Sequence, residues 1–495
     1  MVPPLRLPLR CRHAQQPSAP LPLLAHPRIP QTLKGLPMNL LRMTRRQHGQ
    51  LHAHLFPGDG AEAVALAICG RAEALNRRLW TVHEIVEIPH DACIRAPEFV
   101  TWPTSALKQR LSDVAGKGMS VLKLHSHPTG LRAFSARDDR SDAELFAAVE
   151  RRAPGAHLSA VMVPDGELLV RVMSAGRVRG WIDRVTVVGD DLVSFDRDME
   201  KALRDFDMRH RQAFGDRTTE LLSGMTVAVV GASGTGSPLI EMLTRLGVAR
   251  IIVIDPDVIE GKNLNRIYGA TRRDARAVRN KAETSRRHVR RIGLGTTVVT
   301  HEGRVDEPEA VTLLSVCDFV FGCVDSVEGR DTLSRLCAFY CLPFIDIGVR
   351  LDADGEGGVS SVSAGVHYLQ PGGSSLKTRE VYDDADLYAE FLKRTNPTFY
   401  EDQLRRGYIR GVKVDRPAVI SINSAAAACA VNELLARLHP FRTMPNSEFA
   451  IQKLLFSHGR IAHRPDGEPD AELARWVGRG NCRPLLMCGR LEAAA

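Results

Sequence analysis

From about residue 45 to 175, short apolar runs that read as strands (WTVHEIVEI, MSVLKLHSH, LSAVMV, ELLVRVM) alternate with helical stretches such as SDAELFAAVERR. This pattern predicts a compact α/β unit, placed over residues 38–190. The charged segment FDRDMEKALRDFDMRHRQAF reads as a linking helix, within a linker and entry region over 191–222. From 223 to 440 the order becomes regular: strand MTVAVVG, helix SPLIEMLTRLG, strand ARIIVIDPD, then DFVFGCVD and PFIDIGV. Strands alternating with helices in this way predict a doubly wound, mainly parallel sheet. Residues 441–495 are polar and irregular and are assigned no fold. No run of about 18 apolar residues occurs, so no membrane span is expected.

Composition alters this picture mainly at the N-terminus. The formal charge is +8, but residues 1–37 carry five Lys/Arg and no acid, which leaves only about +3 for the rest. With aromatics at 5%, there is no basic face with stacking platforms to suggest nucleic acid. The same segment holds nine of the 28 prolines and cannot bury enough surface to order itself. It is read as a disordered extension without structural role, since it lacks the apolar core of a signal peptide. Ten cysteines are scattered without a small-domain disulfide pattern, which fits a reducing cytoplasm.

Candidate chemistry first appears in VLKLHSHPTGLRAFSARDDRSD. His125 and His127 are two apart, so on a strand both rings point to one face, and Asp138 can return from the following loop or helix start to complete a three-ligand set. Two imidazoles and a carboxylate suit zinc with an open position for water, whose pKa falls toward about 7. A separate carboxylate must then accept the proton, and Ser135 can donate to an oxyanion. An isolated HxH is more often two packing histidines than a metal site. The longer spacing, through His125, Ser126, His127, Pro128, Ser135 and Asp138, resembles the JAMM (MPN, Mov34-type) metallopeptidase motif. That family cleaves after the C-terminal glycine of ubiquitin-like proteins. The resemblance implies a catalytic acid/base upstream, and Glu62 in GDGAEAVALAICGR, followed by an apolar run ending at Gly70, fits it.

A second constellation is VAVVGASGTG, where Gly231, Gly234 and Gly236 form a turn between strand and helix. Such a turn lets the backbone approach a phosphate, while Asp255 at the end of the next strand can accept from ribose hydroxyls. A nicotinamide-dependent oxidoreductase would present nearly the same residues. Asn263, Arg266, Lys281 and Asp325 favour adenylation instead: two cations can offset triphosphate charge and a carboxylate can hold Mg²⁺. The ordered set resembles the ThiF/MoeB and ubiquitin-activating adenylyltransferase family. The resemblance implies ATP and Mg²⁺ as cofactors and a homodimer in which Arg211, in HRQAFG, reaches the partner's nucleotide site.

Three departures from that family stand out. Ser233 replaces the usual glycine in the phosphate turn, which is tolerable if its φ is negative. Ser374 and Ser375 stand where relatives often carry a cysteine. The paired CxxC zinc site is absent, and Cys482 with Cys488 has the wrong spacing to replace it. A hydroxyl does not replace a thiolate as acceptor at neutral pH without strong activation, so no thioester is expected on this chain. Cys337 and Cys341 are read as core residues. Together the resemblances imply a bacterial-type fusion that trims and adenylates a ubiquitin-like or sulfur-carrier protein ending in glycine, passing it to a separate thiol-bearing conjugating enzyme. A degenerate scaffold of such a system is the alternative, and a nicotinamide oxidoreductase stands behind it.

Overall fold

The computed structural model describes residues 38–197, 204–353, 358–409, 419–489 and 491, so the proline-rich extension over 1–37 lies outside the described residues. The N-terminal half is built on strands β1 (Met38–Thr44), β2 (Val64–Ala74), β3 (Arg77–Glu87), β4 (Ile94–Ala96), β5 (Phe99–Thr101), β6 (Ser120–Ser126), β7 (His157–Met162), β8 (Leu168–Ser174), β9 (Arg177–Trp181), β10 (Arg184–Val188) and β11 (Leu192–Asp196). Nine of them form one sheet in the order β11-β10-β1-β3-β2-β6-β7-β8-β9, while β4 and β5 form a separate hairpin. Helix α1 (Arg45–Leu55) covers one face and helices α2 (Ser105–Gly116) and α3 (Ala136–Glu150) the other. Two-sided cover explains why β6 is buried along its whole length and β2 from Val64 to Gly70. On β6, Leu122 and Leu124 pack with the α1 cluster, whereas Val121 packs with α2 and α3. By the strand's period of two, Lys123 and His125 therefore face α3.

The C-terminal half begins with α4 (Met208–Gly224), followed by β12 (Thr226–Val230), α5 (Gly236–Arg245), β13 (Arg250–Ile254), α6 (Arg272–Arg276), α7 (Lys281–Ile292), β14 (Thr297–His301), α8 (Pro308–Ser315), β15 (Phe319–Gly322), α9 (Val327–Phe339) and β16 (Phe344–Ala353). Next come β17 (Val359–Leu369), α10 (Asp384–Thr395), α11 (Pro397–Arg405), α12 (Ile420–Leu438), β18 (Ile451–Leu455) and β19 (Arg460–Arg464). The sheet order is β14-β13-β12-β15-β16-β17-β18-β19. The strands from β14 to β16 run parallel, and β17, β18 and β19 continue antiparallel. The chain thus has the expected α/β character, with a doubly wound sheet whose order reverses between β12 and β15. Among the described residues, no helix is long and apolar enough to cross a membrane.

Two segments depart from the sequence reading. The start of the expected linking helix is instead β11, antiparallel to β10, because LVSFD alternates buried and half-buried positions; α4 starts only at Met208 and breaks at Gly215, with φ 74° and ψ 172°. The region after 441, assigned no fold, supplies β18 and β19. Strand β19 is an edge with mostly exposed side chains, so it carries no apolar alternation to read.

The two halves join through buried arginines. Arg42 donates to the carbonyls of Tyr340 (2.9 Å) and Cys317 (2.5 Å). Arg77 donates to Val316 O and grips Asp318 at 2.8 and 2.9 Å. Burial pushes the Asp318 carboxyl up, but Arg77, Arg184 and Arg42 together hold it below the usual range. The segment around Gly478 then stitches both halves. Its carbonyl accepts from Gly70 N (3.2 Å) and Thr81 Oγ1 (2.9 Å), while its N–H donates to Ala338 O (3.0 Å). A Cβ on Gly70 would lie 2.2 Å from Arg479 C, so only glycine permits this approach. The junction uses the C-terminal end of β2 and the N-terminal ends of β15 and β16. Their opposite ends remain available for chemistry.

Candidate functional site

In the N-terminal half, the free end of the sheet gathers His125, His127 and Asp138, whose ligand-capable atoms all lie within 4.8 Å of one another. His125 Nε2 is 3.2 Å from His127 Nε2 and 3.1 Å from Asp138 Oδ1, and His127 Nε2 is 3.7 Å from Asp138 Oδ2. Asp138 reaches them because Ser135 caps α3: its Oγ accepts from Asp138 N at 3.2 Å, and Asp138 Oδ2 in turn accepts from Ser135 N and Oγ, both at 2.7 Å. The Nδ1 of His127 lies 2.8 Å from Leu131 O, which can only accept, so Nδ1 carries the proton and Nε2 presents its lone pair to the cluster. Two imidazole nitrogens and a carboxylate, held with lone pairs converging, are a donor set that fits zinc.

Glu62 completes the group from the loop before β2, with Oε1 3.8 Å from His127 Nε2. The residue is 5% exposed, and burial pushes its carboxyl up to about 7, with His127 opposing and Asp138 adding to the shift. Burial, aided by Lys123, pushes His125 down to about 4, which keeps it neutral and able to ligate. Burial would raise Asp138, but the imidazoles of His125 and His127 beside it and the hydrogen bond from Ser135 hold it well below the usual carboxylate range. One contributor, Arg95, had no motif to reveal it, and the motif that includes Ser126 did not show its role. Arg95, on the β4–β5 hairpin, donates to the carbonyls of Glu62 (2.8 Å) and Ala61 (3.0 Å). Ser126 holds the backbone of Ala63.

In the C-terminal half, the turn after β12 lies across the strand ends at the switch point. Gly231 has φ +93°, donates to Ile254 O at 2.8 Å, and leaves no room for a Cβ, which would sit 2.5 Å from Cys323 O. A Cβ on Gly236 would meet Gly231 O at 1.8 Å. Ser233 is absent from the positive-φ positions among the described residues, which meets the condition set on its replacing glycine. Asp255 accepts from Ala232 N (2.6 Å) and Asp257 N (2.9 Å), and burial pushes its carboxyl up. Lys281 opens α7, 4.0 Å from Asp255 Oδ1 and 2.7 Å from Asp257 Oδ2. The Arg266 stem passes beside Gly234, while its guanidinium donates to Lys262 O.

Asn263 is buried, and its Oδ1 accepts from Glu260 N. Asp325 is exposed just beyond β15. These residues share the C-terminal strand ends. Arg211 is not among them, since it pairs with Asp216 on its own helix at 2.5 Å. No motif pointed to Asn423 on α12, whose Nδ2 lies 2.3 Å from where a Cβ on Gly234 would stand.

Ser374 and Ser375 are buried; Ser375 Oγ donates to Asp470 at 2.7 Å and Ser374 Oγ to Asp466. Burial pushes the thiols of Cys323 and Cys341 up to about 12 and raises Cys337 as well.

Comparison with known proteins matches residues 44–174 to the model of prokaryotic homologs of the JAB domain and residues 207–388 to that of the ThiF family. The chain is similar to ubiquitin-like modifier-activating enzyme 5 of Drosophila persimilis, 28% identical over 165 residues, covering 31% of this chain and 40% of the relative. It is also similar to the SAMP-activating enzyme E1 of Haloferax volcanii, 33% identical over 119 residues, covering 24% and 43%. The chain therefore spans less than half the length of these curated relatives. The structure of E. coli MccB with ATP aligns at a TM-score of 0.40 and 17% identity, over 54% of this chain and 74% of that one. The chain thus joins an N-terminal domain of the prokaryotic JAB family to a C-terminal domain of the ThiF family.

Proposed function

We propose that this chain activates the C-terminal glycine of a ubiquitin-like or sulfur-carrier protein by adenylation, and that its N-terminal domain is a zinc peptidase that exposes or releases that glycine. The observation that carries this reading is the convergence of His125, His127 and Asp138, with Glu62 beside them, in one chain with the glycine turn. In the peptidase, His125, His127 and Asp138 would hold zinc, which supplies a Lewis acid that polarises the scissile carbonyl and acidifies water. Glu62, with its carboxyl near 7, would take the proton from that water and deliver it to the leaving amine. Ser135 Oγ would turn from Asp138 to donate to the carbonyl oxygen as it gains charge.

In the adenylating site the turn at Gly231, Gly234 and Gly236 would cradle ATP phosphates, with Asp255 and Asn263 toward the nucleoside. Lys281 and Arg266 would offset triphosphate charge, and the exposed Asp325 just beyond β15 would ligate Mg²⁺. The substrate carboxylate attacks the α-phosphorus, the α–β bridge breaks, and pyrophosphate leaves with the bond's electron pair. In a homodimer Arg211 would release Asp216 and reach across to the partner's nucleotide.

ATP–pyrophosphate exchange with candidate small proteins ending in glycine tests the reading. Exchange with one candidate and none without it supports adenylation; no exchange with any of them, in a protein that binds no zinc, would favour the second reading. That reading is a non-catalytic scaffold in the cytoplasm, and the burial of Ser374, Ser375, Cys337 and Cys341 is the observation on its side.

A further inference from the structure

Beneath the metal cluster lies a buried polar row that neither site uses. Lys123, Ser159 and Arg171 are direct cross-strand partners on β6, β7 and β8, all facing α3. Asp142 of α3, fully buried, plugs into the row. Its Oδ1 accepts from Lys123 Nζ at 2.7 Å, and its Oδ2 accepts from Arg171 Nη2 at 2.8 Å and from Ser159 Oγ. Arg171 also reaches Asp139 at 2.5 Å and lies 3.8 Å over the Phe134 ring, which packs edge-on against His125. Four buried charged or polar side chains are costly to desolvate, and a pair of this kind is retained more readily for registry than for stability.

The spacing says which registry. Asp138 and Asp142 are one turn apart on α3, a rise of about 6 Å. His125 and Lys123 are two apart on β6, about 6.6 Å. The two repeats match, so Asp142 on Lys123 and Asp138 on His125 are successive teeth of one rack. The geometry points to Lys123, Asp142 and Arg171 as positioning residues that fix the axial register of α3, and with it the third ligand of the metal site. This inference rests on the metal reading above. Asp142 touches no ligand and would touch no substrate.

The test uses the full chain with zinc alone, measured by chelator competition, and cobalt(II) as a spectroscopic reporter of the ligand set. Asp142→Ala and Lys123→Met are expected to weaken zinc binding roughly 10- to 100-fold, the usual effect of removing an outer-shell support. The cobalt spectrum of Asp142→Ala should depart from the wild-type form, because the Asp138 carboxylate is shifted from its place, and Lys123→Arg should restore binding where Lys123→Met does not. Wild-type affinity and spectrum in folded Asp142→Ala and Lys123→Met would overturn the inference. If Asp142→Ala does not fold, the Lys123→Met and Lys123→Arg pair decides by the same criterion. A wild-type protein that binds neither metal would instead sink the metal reading, and the inference with it.

Discussion

Ser126 and Ala63 are bonded in both directions: Ser126 Oγ accepts from Ala63 N at 2.9 Å, and Ser126 N donates to Ala63 O at 3.0 Å. The serine between the two histidines points away from the metal cluster and ties down the residue next to Glu62. Ser126→Ala would leave a buried N–H without its partner, a cost of about 1–3 kcal/mol. The expected outcome is a lower melting temperature and slower cleavage with zinc content preserved, checked by thermal unfolding and metal analysis on the same sample.

Replacing His125, His127 or Asp138 by alanine should remove zinc and cleavage together. Glu62→Gln keeps the cluster and should retain zinc while losing roughly 10²- to 10⁴-fold in cleavage rate, the range for a positioned acid/base. Zinc measured at full occupancy in His127→Ala would refute its assignment as a ligand.

The adenylating site should fail independently. Asp325→Ala and Lys281→Ala are expected to abolish pyrophosphate exchange while precursor cleavage continues, and Glu62→Gln should do the reverse when offered a substrate with its glycine already exposed. Gly236→Ala should behave like Lys281→Ala, because its Cβ would collide with Gly231 O. Exchange at wild-type rate in Gly236→Ala would show that the turn does not hold the nucleotide.

No thiol-sensitive adduct should accumulate on this chain after adenylation, since burial raises Cys323, Cys337 and Cys341 away from thiolate character. Denaturing gels with and without reductant check this. An adduct lost in Cys337→Ala or Cys341→Ala would restore a thioester on the chain itself.

His367, on β17, has its folded pKa pushed down to about 3 by burial, with Arg379, Arg330 and Lys453 adding to it. The unfolded chain binds this proton near 6.5, so between about 3 and 6.5 the unfolded state holds more protons and stability falls as pH falls. One such group contributes at most about 1.4 kcal/mol per pH unit. Unfolding of His367→Gln, followed from pH 7 to 4, should show a shallower acid slope than wild type; equal slopes would remove His367 as a cause.

The grouping of His125, His127 and Asp138 was legible in the sequence because its spacing is local: a strand's period places the two histidines together, and the chain returns Asp138 within a few residues. The glycine turn between β12 and α5 was legible for the same reason. What stayed hidden depends on partners distant in sequence. Nothing local marks Arg42 and Arg77 as buried, because the groups that hold them, Tyr340, Val316 and Asp318, lie more than 200 residues further along the chain. Asn423 reaches Gly234 only through the packing of α12, and β19 is too exposed to alternate.

The seam at Gly478 has a consequence in time. Thr81 and Gly478 are 397 residues apart, yet they share a hydrogen bond. A ribosome adding about 5–20 residues per second needs roughly 20–80 s to cover that distance. Throughout it the first domain stands with the edge around Gly70 uncovered, to be closed only once the segment at Gly478 has been made. The growing chain must keep that edge from other molecules for the whole of this interval.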